Sequence, residues 1–292
     1  MTAHESAEDT FHPLLSRSGP VLDNILADRN GPDTALVVSM TSIMSTIAKT
    51  TRRFRKLVSV LAQDDYRRAF RRGRVAAAVE HERLLKTFDF RTVVDIGANR
   101  GQFALVARHC FPAARIISFE PLAGPASQFR TVLDDDPHVT LHPIAIGPTA
   151  GAASMHVAAE DDSSSLLPIT ALQQSLFTGT NEVGRETIHV EPLSGRVSAE
   201  DLTPPALLKI DVQGYELSAL KGCEALLGGF AQVYVECSFV ELYEGQALAA
   251  EVVAYLREKD FGLRGVYNTY YDAGGRAIQA DMLFDGARQM KK

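Results

Sequence analysis

The sequence predicts an α/β fold in which helices cover both faces of a mostly parallel β-sheet. Three observations lead to this prediction. From residue 92 onward, β-favouring runs alternate with helix-like runs, as in right-handed βαβ units. A glycine-rich turn follows the first run, and four predicted strands end in a carboxylate. Because ligands of such sheets bind beyond the carboxyl ends of the strands, we expect a binding site there.

The first 85 residues differ from the rest and form a separate predicted region. Residues 1–33 are polar and interrupted by proline and glycine, so we expect little order there. Apolar residues recur at helical spacing over residues 35–62 and 67–88, which predicts a helical extension. We therefore divide the chain into this extension, residues 1–85, and a main domain, residues 86–292.

The extension is basic although the chain as a whole is acidic. Between Lys49 and Lys86, twelve Lys or Arg stand against four Asp or Glu, a charge of +8; since the chain carries −6, the remainder carries −14. Such a segment can lie on an anionic membrane surface, contact a second copy in a homodimer, or fold back onto the acidic body. Aromatic residues are not interleaved with the cations as in nucleic-acid modules, so no nucleic-acid partner is expected.

Composition favours a cytoplasmic globular protein. The 292 residues are 46% hydrophobic, enough for a sizeable core, and contain no run of 18 apolar residues. The first residues lack the basic-then-apolar pattern of a signal peptide. Cys110, Cys223 and Cys237 lack metal-ligand spacing and are interpreted as reduced core residues. We expect a cytoplasmic location, with attachment to the inner membrane face left open by the basic extension.

The main domain begins with two βαβ-like repeats. The stretch from Thr92 to the acid Asp95 predicts a strand, followed by the glycine turn and a helix from Gln102. Residues 115–119 predict the second strand, closed by Glu120-Pro121, and residues 125–133 the next helix. The third predicted strand covers residues 139–146.

Residues 149–205 interrupt this alternation. Two strand-like stretches, residues 154–158 and 187–193, flank a serine- and threonine-rich segment, residues 161–180. Because a long loop within a compact domain usually covers or binds a ligand, we assign this insertion to the acceptor side.

The alternation resumes after residue 205. A closing hairpin is expected to form an antiparallel edge of the sheet. The predicted elements are a strand at 206–211, a helix at 215–227, a strand at 232–237, a helix at 246–258 and hairpin strands at 262–267 and 277–284.

The turn after the first strand indicates the kind of ligand. It reads Asp95-x-Gly97-x-Asn99-x-Gly101, so Asn99 replaces the second glycine of the NAD fingerprint. A carboxylate at the strand tip repels a pyrophosphate but attracts an amino group or a ribose hydroxyl. Glu120, 25 residues after Asp95, has the placement of an acid that holds ribose hydroxyls.

These motifs resemble those of the FkbM family of O-methyltransferases, within the class I S-adenosylmethionine (SAM) methyltransferases. The resemblance runs from Val93 to Phe284. Its motifs are Val-Asp-Ile-Gly-Ala-Asn-x-Gly from Val94, Ser118-Phe119-Glu120-Pro121, Ala145-Ile146-Gly147, Ser163-Ser164-Ser165-Leu166, Leu208-Lys209-Ile210-Asp211-Val212-Gln213-Gly214-Tyr215-Glu216, Leu220-Lys221-Gly222 and Glu236. Gln213 departs from the family, in which many members carry Glu at this position.

The resemblance implies a Rossmann-like seven-stranded sheet and SAM-dependent methylation of a hydroxyl on a sugar, glycolipid, polysaccharide or secondary metabolite. Two sets of residues are expected to bind the two substrates. For SAM they are Asp95, Gly97, Asn99, Gly101, Phe103, Glu120, Pro121, Ala145 and Ile146; for the acceptor they are Ser163, Ser164, Ser165, Gln213 and Tyr215.

Methyl transfer to a hydroxyl needs a general base, or a metal that lowers the pKa of the hydroxyl. We expect the base among Asp211, Glu236 and Glu216, in that order. Three histidines, His142, His156 and His189, are the rivals. Asp211 and Glu236 could also hold Mg²⁺, although no second acid or amide follows Glu236 as in catechol-type enzymes.

Two other functions remain open at this point. One is methylation of a nitrogen or of a protein. The other is a non-catalytic protein that keeps the SAM fold and binds a partner through its basic extension; the four strand-end acids argue against it.

Overall fold

The computed structural model describes residues 63–287 and 289. The polar lead-in and the helical stretch over residues 35–62 lie outside the described residues. The strands are β1 (Thr92–Ile96), β2 (Arg115–Phe119), β3 (Val139–His142), β4 (Ala145–Ile146), β5 (Gly151–Ala158), β6 (Glu182–Glu191), β7 (Ala206–Ile210), β8 (Gln232–Ser238), β9 (Phe261–Tyr271) and β10 (Ala277–Gly286). The helices are α1 (Asp64–Gly73), α2 (Glu82–Leu85), α3 (Gln102–Cys110), α4 (Ala123–Leu133), α5 (Ala171–Leu176), α6 (Glu216–Gly222) and α7 (Ala249–Glu258).

The main sheet has seven strands in the order β3-β2-β1-β7-β8-β10-β9. The first five are parallel, and β10 runs antiparallel between β8 and β9. This confirms the predicted fold class, including the antiparallel edge. The strand order reverses between β1 and β7, so the crevice above these two strands is the expected ligand position.

Buried side chains on both faces of the central strands explain why their sequences are almost continuously apolar. All five residues of β1 and of β7 are buried. Val94 and Leu208 pack into the core on one face. Val93 and Leu207 pack on the other face, with Phe103 of α3.

A second, three-stranded sheet corrects the prediction of one strand over residues 139–146. β3 ends at His142, and β4 pairs instead with β6, which is also paired antiparallel with β5. Pro143 separates the two pieces and has no N–H to donate to a ladder, which ends β3 at this point. The insertion therefore forms a separate sheet together with β4.

The prediction of one helix over residues 67–88 is wrong. α1 ends at Gly73, Arg74 adopts a left-handed conformation (φ 56°), and a 3₁₀ turn at Val79–His81 leads into α2. Tyr66 and Ala69 of α1 are buried in the core that α3 and α4 share. None of the helices in the described part of the chain is both long and apolar enough to cross a bilayer.

Gly97 joins the tips of three strands. Its N–H donates to the carbonyl of Phe119 at the end of β2 (3.1 Å), and the N–H of Asp211 after β7 donates to Ile96 of β1 (3.1 Å). Gly97 has φ +77°, and a Cβ built on it would lie 1.7 Å from the carbonyl oxygen of Asp211. Only glycine allows β1 and β7 to approach this closely at their carboxyl ends.

Gly97→Ala is therefore expected to destabilise the protein by at least about 3 kcal/mol, because overlap with backbone is added to left-handed strain. Urea unfolding would measure the change. Gly124→Ala is the matched control: Gly124 lies in the first turn of α4 with no atom within 4 Å of its added Cβ. We expect that variant to match the wild type or to gain up to about 1 kcal/mol. An equal loss in both variants would contradict the role given to Gly97.

Candidate active site

The carboxyl edge of the main sheet carries the acids that were predicted at strand ends. These are Asp95 within β1, Glu120 directly after β2, Asp211 directly after β7 and Glu236 within β8. Asp95 is the register partner of Lys209, and Lys209 is the register partner of Tyr234. Since side chains alternate along a strand, Asp211 and Glu236, two residues farther on, face the same side of the sheet.

Lys209 and Asp95 form a buried ion pair at the centre of this edge. The Lys209 Nζ atom lies 3.0 Å from Asp95 Oδ1 and 4.0 Å from Asp211 Oδ2, and it donates to the carbonyl of Gly97 (3.0 Å). Lys209 also lies over the ring of Phe103, 5.4 Å from its centroid. Burial alone would lower the pKa of Lys209, but the carboxylates of Asp95 and Asp211 raise it, so the ammonium group stays charged.

Asp95 has acceptor capacity that the described residues do not use. Its side chain is fully buried, with 0% exposure, and although Lys209 is close, neither carboxylate oxygen accepts a hydrogen bond of good geometry from a described residue. A buried polar atom without a hydrogen bond is costly. The chemistry of this position fits a cationic N–H donor such as the amino group of SAM.

The glycine turn is held against β2 by its own N–H groups. Gly97 and Ala98 donate to the carbonyl of Phe119, and Asn99, in a left-handed conformation (φ 46°), donates to Glu120 Oε2 at 2.9 Å. The other carboxylate oxygen of Glu120 accepts the N–H of Leu122 at 2.8 Å. Burial raises the pKa of Glu120 to about 7 in spite of these bonds. The turn therefore offers a ligand the carboxylate of Glu120, while its N–H groups at positions 97 to 99 are in use.

Several predicted SAM residues lie in packed surroundings. Phe103 is buried beneath Lys209 and packs against His81. Ile146 is buried in the main core, and Ala145, its neighbour in β4, is partly exposed. Pro121 is also partly exposed, directly after Glu120. Gly101 has φ +90° and begins α3. Contact of these residues with SAM stays a prediction.

A side-chain amide lies between the two leading candidates for the base. Gln213 Nε2 donates to Asp211 Oδ1 at 2.8 Å and to Glu236 Oε2 at 3.1 Å. The other oxygen of Glu236 accepts a hydrogen bond from Gln279 Nε2 at 2.8 Å. Burial, followed by the charge of Asp211, raises the pKa of Glu236 well above its ordinary value. Asp211 has a side-chain exposure of 37%, and its Oδ2 accepts no hydrogen bond from the described residues.

Glu216, the third candidate for the base, folds back onto its own loop. Its Oε1 accepts the N–H groups of Val212 (3.2 Å) and Gly214 (2.9 Å). The side chain is 3% exposed, and burial raises its pKa from 4.5 to about 7. These contacts give Glu216 a role in shaping the loop that carries Gln213.

The serines of the insertion have internal partners. The Ser165 hydroxyl donates to the carbonyl of Gln213 at 2.6 Å, and Ser164 Oγ accepts the N–H of Ala158 at 3.1 Å. Both side chains are buried, whereas Ser163 is partly exposed. Tyr215 is partly exposed, and its hydroxyl would lie 3.3 Å from a Cβ built on Gly147. Acceptor contacts by these residues stay predictions.

The three rival histidines have partners of their own. His142 stacks on Phe119 with ring centroids 5.0 Å apart. His156 Nδ1 lies 2.7 Å from Glu182 and His189 Nε2 lies 2.7 Å from Glu191, within the second sheet. These contacts place none of the three beside Asp211 or Glu236.

A further polar cluster was not predicted. Asp281 of β10 is the register partner of Glu236, so it extends the acidic edge toward β9. Its Oδ2 accepts the Tyr234 hydroxyl (3.0 Å) and Asn268 Nδ2 (2.8 Å), and the Tyr234 hydroxyl lies 3.0 Å from His81 Nδ1. No strand-end motif marks these residues, because β10 enters the edge antiparallel.

The insertion contacts the glycine turn through an ion pair. Arg100 Nη2 lies 2.6 Å from Asp161 Oδ2, and Arg100 Nε donates to the same oxygen at 3.2 Å. This contact brings the predicted acceptor-side segment to the predicted donor side. Within residues 63–287, the structure places no group of three or more His, Cys, Asp or Glu side chains in position to hold a metal ion.

Known methyltransferases match this chain in sequence. The family model described as the methyltransferase FkbM domain matches residues 95–263, more than half of the chain. Among curated proteins, the chain is 27% identical over 177 residues to the hexuronic acid methyltransferase AglP of Haloferax volcanii. The match covers 57% of this chain and 67% of that protein.

Solved structures resemble the chain more distantly. A precorrin-6y C5,15-methyltransferase from Geobacter metallireducens is 12% identical, with a TM-score of 0.38 over 70% of this chain and 87% of that one. An rRNA methylase from Streptococcus thermophilus is 11% identical, with a TM-score of 0.37 over 70% and 93%. Likeness of this degree identifies no acceptor.

Lys209→Met is expected to destabilise the protein by about 3–5 kcal/mol, because it leaves the Asp95 carboxylate buried without its counter-ion. Urea unfolding of this variant and of the double variant Asp95→Asn, Lys209→Met would test the pair. The double variant removes both charges, so its loss should be smaller than the sum of the two single losses. Additive losses would show that the two side chains do not act as a pair.

Glu216→Gln is expected to flatten the pH dependence of stability. The folded-state pKa of Glu216, about 7, lies above its ordinary 4.5, so its stabilising effect is complete below about pH 4.5 and is lost as the pH rises through about 7. The glutamine oxygen can keep both backbone bonds without titrating. Between about pH 5 and about pH 8, the free energy of unfolding measured in urea should change by up to about 3 kcal/mol less in Glu216→Gln than in the wild type. Equal changes in both proteins would contradict this assignment.

Proposed function

The chain belongs to the FkbM methyltransferase family, and we propose that it transfers the methyl group of SAM to a hydroxyl of a sugar, glycolipid, polysaccharide or secondary metabolite. The observation that carries the proposal is the Asp211 carboxylate. It stands partly exposed at the switch point of the sheet, with Oδ2 free of hydrogen bonds from described residues. A carboxylate in this position can take the proton that a hydroxyl must lose when it attacks a methyl group.

The charge of the carboxyl edge supports SAM as the donor. SAM carries a sulfonium and an ammonium group, and Asp95 and Asp211 together supply more negative charge than Lys209 offsets. Asp95 would hold the amino group, since its buried oxygens lack hydrogen bonds. Glu120 would accept ribose hydroxyls on its remaining lone pairs. When bound, SAM supplies an electrophilic methyl group.

Asp211 suits the base better than Glu236. Both oxygens of Glu236 accept side-chain amide hydrogens, and its raised pKa favours the protonated form. A neutral Glu236 would serve as a hydrogen-bonding partner and leave Asp211 as the base. In this arrangement Asp211 Oδ2 receives the hydroxyl proton, and Lys209 Nζ lies 4.0 Å from this oxygen.

A sugar acceptor is supported by the relative from Haloferax volcanii, whose name states that it methylates a hexuronic acid. The identity of 27% leaves the acceptor of this chain a proposal. The rival acceptors, a nitrogen or a protein side chain, would not need Asp211 to the same degree, because an unprotonated amine already has a free lone pair.

Calorimetry should show binding of S-adenosylhomocysteine to the wild type and a weaker affinity for Asp95→Asn. In extracts of glycans and glycolipids incubated with methyl-labelled SAM, mass spectrometry should find the label as a methyl ether. Asp211→Asn should slow this transfer by about 10²–10⁴-fold because it removes the base.

Glu236→Gln is the matched control for Asp211→Asn, since the same chemical change is made at the other carboxylate. A smaller loss of rate is expected there, because a glutamine preserves a neutral hydrogen-bonding partner. Equal rates for Asp211→Asn and wild type, or label found on nitrogen alone, would refute O-methylation with Asp211 as the base.

A further inference from the structure

The side chain of Gln213 connects the two acids to Tyr243, which lies outside the insertion but contacts it. Both amide hydrogens are used on carboxylates, one on Asp211 and one on Glu236. The amide oxygen accepts the hydroxyl of Tyr243 at 2.9 Å. An amide is the one neutral side chain that presents two donors and an acceptor in a plane, so it can join two acids to a hydroxyl.

The backbone of Gln213 is held in an uncommon conformation. Its φ is +53°, in the left-handed region, and Gly214 follows with φ +95°. The Gln213 carbonyl accepts the Ser165 hydroxyl, and Glu216 Oε1 accepts the N–H of Gly214. A non-glycine residue keeps such a conformation only where its surroundings determine it, and this happens most often at functional positions.

The contacts on the insertion side are fully buried. Ser165, Gln173 and Tyr243 are exposed by 0%, 3% and 1%. Gln173 Nε2 donates to the Tyr243 hydroxyl at 3.1 Å, and this hydroxyl also lies 3.0 Å from the carbonyl of Ser163. Since a hydroxyl has one proton, Tyr243 donates either to Gln213 or to Ser163 at a given moment.

We propose that Gln213 is a positioning residue that holds Asp211 and Glu236 together. Through Gln213, the geometry of these two acids depends on the position of residues 163–173. This inference rests on the proposed function, in which Asp211 is the base. Ser165 belongs to the insertion, and the Tyr243 hydroxyl contacts the insertion at Ser163 and Gln173. Both hydroxyls bond directly to Gln213, so a shift of the insertion would be transmitted to this residue. The acceptor-side segment thereby adjusts the base without touching it.

Gln213→Glu tests the electrostatic part of this proposal. The substitution preserves the shape but turns the donor into a third carboxylate facing Asp211 and Glu236. Between about pH 5.5 and about pH 8.5, the melting temperature of the variant should fall by about 5 °C more than that of the wild type, because like charges raise the folded-state pKa of the cluster. Mg²⁺ at millimolar concentration should restore part of this loss in the variant alone, since three carboxylates suit a divalent cation.

Gln174→Glu is the matched control for this substitution. Gln174 is exposed on α5, one residue from Gln173, and the same change there should leave the pH dependence unaltered. A loss in Gln213→Glu that is independent of pH and of Mg²⁺ would indicate that Gln213 only fills space, and would overturn the proposal.

Tyr243→Phe tests the coupling to the insertion and also serves if Gln213→Glu does not fold. Hydrogen exchange over residues 163–173 should increase in this variant, and the pH dependence of unfolding should change with it. In a double-mutant cycle of Tyr243→Phe and Gln213→Glu, the loss of stability in the double variant should be smaller than the sum of the two single losses. Faster exchange without a change in pH dependence, or strictly additive effects, would overturn the coupling.

Binding of S-adenosylhomocysteine separates this inference from the proposed function. Affinity within about threefold of the wild type is expected for Tyr243→Phe, because the donor-side acids Asp95 and Glu120 lie on other strands. Absence of binding to the wild type would refute the proposed function, whereas the pH dependence and the double-mutant cycle would still decide the role of Gln213.

Discussion

The buried ion pair between Asp95 and Lys209 is the interaction on which the carboxyl edge of the sheet depends. It joins β1 to β7, the two strands between which the strand order reverses, and it is shielded from water on both sides. Lys209 also bonds to the carbonyl of Gly97, so one ammonium group holds the strand tip and the glycine turn in a single geometry. Because a buried charge needs its partner, neither residue can be lost alone without cost. The crevice for a cationic donor is thus built around a cation that the protein itself supplies.

Around this pair, the edge contains more acids than bases, and side-chain amides separate the acids. Gln213 lies between Asp211 and Glu236, Gln279 bonds to the far oxygen of Glu236, and Asn268 bonds to Asp281. Amides donate hydrogen bonds without adding charge, so they stabilise neighbouring carboxylates while leaving the edge negative. This arrangement keeps the edge attractive to a cationic ligand and gives each carboxylate its own hydrogen-bond partners.

The parts of the fold that the sequence predicted are those in which local pattern and tertiary burial agree. β1 and β2 are apolar because both of their faces are buried, so their bounds could be read directly. β4 was missed because two residues pair with a strand far along the chain, which no local pattern reveals. Strand-end acids were found by alternation and turn motifs. Lys209 could have been found by the same alternation, since it lies two residues before Asp211. Tyr243 and Asp281 could not, because their contacts depend on tertiary placement and on the antiparallel entry of β10.

That antiparallel entry affects how the chain can be assembled. β10 follows β9 in sequence, yet it occupies a position between β8 and β9. During synthesis, β8 and β9 therefore leave the ribosome before the strand that separates them, and each presents an unpaired edge until β10 is released. A chain that lacks β10 would keep both edges open and prone to association. Because β10 carries Asp281, the acidic edge is complete only once β10 has paired with β8.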